Sequence, residues 1–325
     1  MGEKMRKKIF DVLDVDVIFI KNGMCKDENF FYFTGFEGLW ENAIAIVYPE
    51  KVEVLSPPLE KEAIFYHNRQ ELEKLLKEML NGRKVGFNGN ALSYSELNYL
   101  KKVVNAKFVD VGKKLKKARL IKERDEIKKI RKACKISMKA VEEIEFDGKT
   151  ESWVAGEAEF IMKRENAKPA FDTIVAFGKN TSIPHHMPTN KKFVMPALID
   201  LGAKYKGYCA DITRSFVENK GKRIYEIVEE ALHIALDEIK EGVVAKDVND
   251  KIEKFFARHG FSMRHGLGHS IGLKVHDGYA INKDAKFLFK ENMVFAIEPA
   301  IYTKRIGIRI EEDIIVRKNK AEIIG

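Results

Sequence analysis

Cysteine is scarce in this chain, and the three present (Cys25, Cys134 and Cys209) are far apart with no CxxC spacing. An odd, scattered set excludes a disulfide framework and a zinc knuckle, and suits reduced thiols in a cytoplasmic protein. Long apolar runs are absent too. None approaches the roughly 18 residues that span a bilayer, and no apolar leader stretch follows the basic start Met1-Gly2-Glu3-Lys4-Met5-Arg6. A soluble protein without a membrane partner is therefore expected. No GxGxxG or Walker loop signals a nucleotide, and no repeat of solenoid period is present. Gln70 is the only glutamine while Lys, Glu and Ile abound, a bias found in proteins of high-temperature organisms.

What remains is globular in composition. Hydrophobic residues are 45% and charged residues 33% of 325, enough for a sizeable core, and the length favours two domains. A net charge of +9 invites a nucleic-acid reading. The distribution argues against it, because lysines alternate with acids, as in Glu71-Leu72-Glu73-Lys74 and Lys122-Glu123-Arg124-Asp125-Glu126. A solvated charged surface with no nucleic-acid partner is the reading we adopt. The densest basic run, Lys113 to Arg119, is expected to form a linker.

The first third alternates short strands and helices. Val15 to Ile20 and Ala43 to Val47 are apolar and β-branched, as buried strands are, and the aromatic stretch Phe30 to Phe36 reads as core. Leu72, Leu75, Leu76 and Met79 share one helix face over 69–80, which Asn81-Gly82 terminates. Val85 to Asn88 is another strand, and Ser93 or Ser95 caps a helix running to about Val104. A long amphipathic helix over Lys122 to Ile144 opens the second domain, with the boundary near Lys117. Further helices fall at about 150–166, 222–240 and 246–259, between strand-rich stretches that hold most of the Asp, His and Glu of interest.

Two of those stretches are hairpins of similar layout. Asp200 and Asp211 lie almost equally far from a turn at Tyr205-Lys206-Gly207, so on an antiparallel pair they sit opposite or diagonal. Glu298 and Glu311 likewise straddle a turn near Lys304-Arg305. All four have apolar neighbours. Buried carboxylates that face one another repel, and protonate unless a cation lies between them. Between the hairpins, His265, His269 and His276 fall within twelve positions. Gly266, Gly268 and Gly272 disfavour a zincin helix there, and the Glu of HExxH is missing; a glycine-rich strand entering a metal pocket fits better. Four carboxylates and one imidazole form an oxygen-rich donor set that suits two divalent ions, Mn²⁺, Co²⁺ or Fe²⁺, with Zn²⁺ also accommodated.

The order Asp200, Asp211, His269, Glu298, Glu311, in the contexts Ile-Asp-Leu-Gly, Ala-Asp-Ile-Thr-Arg, Gly-His-Ser-Ile-Gly, Ile-Glu-Pro and Arg-Ile-Glu, resembles the pita-bread metallopeptidases. Asn29 to Phe36 resembles the N-terminal domain of the prolidase and aminopeptidase P branch, and Leu115 to Ile130 the start of its catalytic domain. The resemblance covers the whole chain. It implies an α+β fold: a pita-bread catalytic domain with a curved antiparallel sheet over 118–325, preceded by a smaller α/β domain over 1–117. It makes those five residues the metal ligands, with Asp211 and Glu311 bridging two ions, Mn²⁺ or Co²⁺ first. His185 in Pro184-His185-His186 matches a functional histidine of the substrate-side loop, with His186 its neighbour. His276 matches one that stabilises the tetrahedral intermediate, His265 one near the substrate, and Arg309 an arginine that steadies a ligand carboxylate. Glu298 would also shuttle a proton to the leaving proline nitrogen. A small peptide substrate and a homodimer formed partly through the N-terminal domain are implied as well.

The activity this implies is hydrolysis of the bond before proline. The short loop between Glu298 and Glu311 and the modest N-terminal domain favour Xaa-Pro dipeptides over the longer peptides that aminopeptidase P trims. Methionine aminopeptidase lacks the N-terminal third, creatinase acts without metal, and non-catalytic relatives lose ligands that this chain keeps. Ser270 and Ala300 stand where glycine is common in the family, and His276-Asp277-Gly278-Tyr279 departs from the His-Glu-x-Pro form of many prolidases. These departures bear on specificity.

Overall fold

The computed structural model describes residues 3–22, 26–38, 40–59, 62–219 and 221–324, which excludes Cys25. The chain divides into two compact units between Arg119 and Leu120. In the first, six strands lie in the order Ile64–Phe65, Val52–Ser56, Ala43–Val47, Val17–Asn22, Lys84–Phe87, Lys107–Asp110. Val17 and Phe19 enter one apolar cluster while Ile18 and Ile20 enter another. Alternation along the strand thus covers both sheet faces, which is why the central strands read as continuous apolar runs.

Local signals set the helix ends. Asp27 caps Glu28–Thr34 by accepting from the Asn29 amide, and Gly35 closes that helix with φ 73°. Phe30 and Phe33 are buried in the core, as expected, and Trp40 joins them. Asn68 caps Arg69–Leu80, Gly82 at φ 73° turns the chain, and Ser93 with Glu96 forms a capping box on Tyr94–Val103. The Lys113–Arg119 run is a correction to the sequence reading, because it is no linker. Gly112–Ala118 is a helix whose Leu115 is buried while its lysines face solvent; one anchoring leucine per two turns is too sparse a period to stand out among four lysines.

The second unit sets four long helices, Arg124–Glu143, Glu151–Arg164, Lys222–Glu238 and Ala245–Arg258, against antiparallel strands. In the first hairpin, Ala197–Leu201 pairs with Ile212–Phe216, and Ala203–Tyr205 with Tyr208–Cys209. Lys206 and Gly207 make its turn at φ 44° and 82°. In the second, Val294–Ile297 pairs with Glu312–Val316, and Ala300–Tyr302 with Gly307–Arg309. Gly268–Ser270 lies beside Val294–Ile297, with His269 opposite Ala296. Ile199, Leu201 and Ile212 enter one core, and Ile297 and Ile310 another. The period of two then sends Asp200, Asp211, Glu298 and Glu311 to the opposite faces of their strands. Among the described residues, no helix is long and apolar enough to cross a membrane.

Gly202 lies where the first hairpin is tightest: a Cβ there would stand 1.9 Å from the Ala210 carbonyl oxygen and 2.8 Å from the Phe171 ring. Gly156, on an exposed helix face, has nothing within 4 Å of the same position. Gly202→Ala should cost about 3 kcal/mol by forcing the strands apart, whereas Gly156→Ala should stabilise by about 1 kcal/mol. Urea unfolding of both variants checks the contrast. Equal effects would contradict the packing described.

Candidate metal centre

Strand register brings the four acids together. Thr213 faces Asp200, so Asp211, two residues earlier on the same side, is the diagonal neighbour of Asp200. Pairing in the second hairpin is interrupted between Ile297↔Glu312 and Ala300↔Arg309, and Glu298 and Glu311 occupy that gap opposite one another. Their amides turn to other strands: Glu298 N donates to Leu267 O at 2.9 Å and Glu311 N to Thr213 O at 3.1 Å. The interruption therefore stitches both hairpins and the His269 strand to one point.

His269 supplies the nitrogen. Its Nδ1 lies 3.1 Å from the Val275 carbonyl, to which only an N–H can donate, so Nε2 carries the lone pair. Nε2 sits 3.4 Å from Asp211 Oδ2 and 3.8 Å from Glu298 Oε1. With a protonated imidazole these would be ion pairs. Burial and the neighbouring His276, stacked on it at 3.8 Å, push its pKa down to about 3, so at neutral pH the imidazole is uncharged and turns its lone pair towards the acids. Ligand atoms of Asp211, His269 and Glu311 lie within 4.8 Å of one another.

The charges are badly matched. Burial, then Glu311, Asp200, Asp313 and Glu298, push Asp211 well above the carboxylate range. Burial, Glu298 and Asp200 raise Glu311 likewise, against the opposing pull of Arg309 and the Thr213 hydroxyl. Burial lifts Glu298 to about 7, with Arg309 lowering and Asp200 raising it further. Arg309 is the cation set against them. Burial opposes its charge, but Asp200, Tyr302, Glu311 and Glu298 outweigh burial and hold it ionised. Its guanidinium binds Asp200 and the Tyr302 hydroxyl, and Nε donates to Thr213 Oγ1 at 3.0 Å. Asp200 Oδ1 is buried with no hydrogen-bond partner. A divalent cation answers all of these features, so the residues present fit the ions that the donor set suggests.

A cavity of about 370 Å³ opens onto this cluster, lined by all five expected ligands and by His185, His265, His276 and Arg309. His265 Nδ1 lies 2.8 Å from Gly266 O and 3.7 Å from Glu298 Oε2, and its Nε2 is buried without a partner. His186 turns away from the cavity and meets Glu151. Ser270, where glycine is common, does more than add bulk: its hydroxyl accepts from Tyr279 N at 2.8 Å and fixes the loop that carries His276.

Sequence reasoning passed over several residues that matter here. Phe171, Ile174, Val275 and Ala280 form an apolar wall of the cavity. Thr213 donates to Glu311 Oε2 at 2.6 Å, and it was legible two positions after Asp211 on the same strand face. Asp313 accepts from Asp211 N at 2.9 Å and from Cys134 Sγ at 3.1 Å, and burial lifts its pKa to about 7. Its sequence position, two after Glu311, carried the same period.

The model of metallopeptidase family M24 matches residues 128–318, more than half of the chain. The chain belongs to metallopeptidase family M24. The Creatinase/Prolidase N-terminal domain matches residues 4–121. The Xaa-Pro dipeptidase of Pyrococcus horikoshii is 37% identical, covering 98% of this chain and 95% of that one. The structure of the prolidase from Pyrococcus furiosus superposes with a TM-score of 0.85 at 34% identity, covering 98% of each chain. X-Pro aminopeptidase from Thermotoga maritima MSB8 gives 0.86 at 29% identity over 98% of this chain and 97% of that one. The fold is thus the pita-bread arrangement of prolidases and aminopeptidase P with its N-terminal domain, and the protein is a metallopeptidase that uses divalent metal.

Without metal, each raised carboxyl favours folding while it holds its proton. That contribution is lost as pH rises through its folded value, near 7 for Glu298 and Asp313. His269 acts oppositely, losing its contribution as pH falls from 6.5 towards 3. Just above pH 6.5 the unfolded imidazoles of His269 and His265, both lowered by burial in the fold, finish titrating and offset only part of the loss from the carboxyls, which set the sign. The chelated protein should therefore melt at a lower temperature at about pH 8 than at about pH 6.5, and Mn²⁺ should raise the melting temperature more at the higher pH. Scanning calorimetry at both values checks this; a chelated melting temperature that rises with pH would contradict the charge assignment.

Proposed function

We propose that the chain hydrolyses the peptide bond preceding proline, in Xaa-Pro dipeptides first. The carrying observation is the neutral His269 Nε2 aimed at a cluster of buried acids beside a small cavity. Asp200, Asp211, His269, Glu298 and Glu311 hold two divalent ions, Mn²⁺ or Co²⁺ first, with Fe²⁺ or Zn²⁺ also suited. Bound there, the ions supply Lewis acidity to the scissile carbonyl and acidify water. The dipeptidase and prolidase relatives support this substrate class.

The side chains divide the remaining work. Phe171 and Ile174 offer apolar surface to a pyrrolidine ring, and at about 370 Å³ the cavity is near the small end for ligand sites. His276 and His185 are hydrogen-bond donors at the cavity wall, suited to the oxyanion that develops on the attacked carbonyl. Glu298 is placed to take up the proton lost by the attacking water and deliver it to the leaving proline nitrogen. Arg309 keeps Asp200 oriented through its guanidinium. Aminopeptidase P activity is the second reading, favoured by the likeness to the X-Pro aminopeptidase. The tight turn at 303–306, where Thr303 N donates to Ile306 O at 2.8 Å, supports the dipeptidase. Buried reduced thiols at Cys134 and Cys209 suit a cytoplasmic enzyme, and a homodimer is the assembly that the resemblance implies.

Hydrolysis of Ala-Pro, Met-Pro and Ala-Pro-Ala, after chelation and return of Mn²⁺ or Co²⁺, tests the proposal. Metal-dependent release from the dipeptides alone is expected, and cleavage of the tripeptide would move the assignment to aminopeptidase P. Glu298→Ala and His269→Ala should each lower kcat by about 10³-fold or more with the fold retained. Normal cleavage by either variant at saturating metal would overturn the site assignment.

A further inference from the structure

The Pro184-His185-His186 segment alternates direction: His185 lines the cavity, while His186 is buried, 8% exposed, against a fully buried Glu151. Glu151 opens the helix Glu151–Arg164, outside the cavity lining. Its carboxylate gathers one segment of chain. Oε1 accepts from Phe177 N and Asn180 Nδ2, each at 2.8 Å. Oε2 accepts from Thr189 N at 3.0 Å and Thr189 Oγ1 at 2.5 Å, and lies 2.9 Å from His186 Nε2. A carboxylate only accepts, so that nitrogen carries the proton. Burial alone would raise Glu151, but the hydrogen bonds from Thr189, His186, Phe177 and Asn180 outweigh it and keep it ionised.

Other anchors of this segment lie on both sides of His185, and after it Ser152 N donates to Thr189 O at 3.0 Å. Gly307 N donates to Thr181 Oγ1 at 3.0 Å, and Arg309 Nη1 donates to the Pro184 carbonyl at 3.2 Å. Immediately after His185, the anchor is the His186–Glu151 pair. His185 is therefore bracketed, by a guanidinium on the preceding carbonyl and by a buried carboxylate on the following ring.

We infer that Glu151 and His186 are positioning residues that fix His185 at the cavity wall. The role rests on the peptidase reading of this site. The pair touches no substrate and acts through its neighbour, so its loss matters only while the His185 imidazole is present.

The test is a double-mutant cycle on Ala-Pro hydrolysis, together with amide hydrogen exchange. His186→Ala should lower kcat/KM about tenfold with His185 present and have no further effect in the His185→Ala background. His186→Gln, whose amide reaches Glu151, should restore most of the loss. Exchange over 185–189 should quicken in the alanine variant while amides at Asp200 and Glu298 keep their rates. His186→Leu fills the space without an N–H and carries the same test should the alanine variant not fold. Equal losses in both backgrounds, or unchanged kcat/KM, would overturn the inference. If the unsubstituted chain cleaves no peptide, the functional proposal fails by itself, and exchange decides: quickening confined to the segment supports the bracket, and unchanged exchange overturns it.

Discussion

Repulsion among buried carboxylates is the constraint on which the second unit is organised. Asp200, Asp211, Glu298 and Glu311 share one cavity with a single guanidinium to offset them. Like charges held this close in low dielectric cannot all ionise without a further cation. Each acid nevertheless sits in a strand or directly beside one, next to residues committed to a core. Ile199 and Leu201 cannot be buried without presenting Asp200 to the opposite side, and Ile297 does the same for Glu298. Core packing supplies the free energy that assembles the cluster, and a divalent ion bound there would relieve its repulsion.

Arg309 joins the loop that carries His185 to both hairpins. It binds Asp200 from the first hairpin, Tyr302 from the second and the Pro184 carbonyl beside His185. Through Thr213 it also reaches the hydroxyl that donates to Glu311. Backbone approaches that only glycine permits keep these pieces close: a Cβ at Gly268 would stand 2.1 Å from the Ala296 carbonyl oxygen, and one at Gly307 2.0 Å from that of Thr181. The His185 segment and the acid cluster are thus tied together by one side chain and a few tight crossings.

Much of this is legible in the sequence. The apolar strands of the first unit and the helix over Arg69–Leu80 carry strong local periods, and the turns at Gly82 and Gly207 have the residue types their positive φ requires. The symmetric placement of acids about two turns left Asp200 and Asp211 opposite or diagonal, and the strand register makes them diagonal. Other features have no local signature. Phe171 and Ile174 look like any core residues, and only the tertiary fold opens a cavity against them. Glu151 reads as an ordinary helix-start acid after Thr150, and its convergent hydrogen bonds come from residues 26 to 38 positions later. The lysine-rich helix Gly112–Ala118 was obscured by its own charge.

The central claim is that these acids are neutralised by divalent ions in place of protons. Calorimetric titration of Mn²⁺ into the chelated chain at about pH 7, repeated in buffers of different ionisation enthalpy, measures ions bound and protons released together. The account predicts two ions per chain, with protons released as they bind. Saturation at fewer than two ions, or heats that do not depend on the buffer, would contradict it.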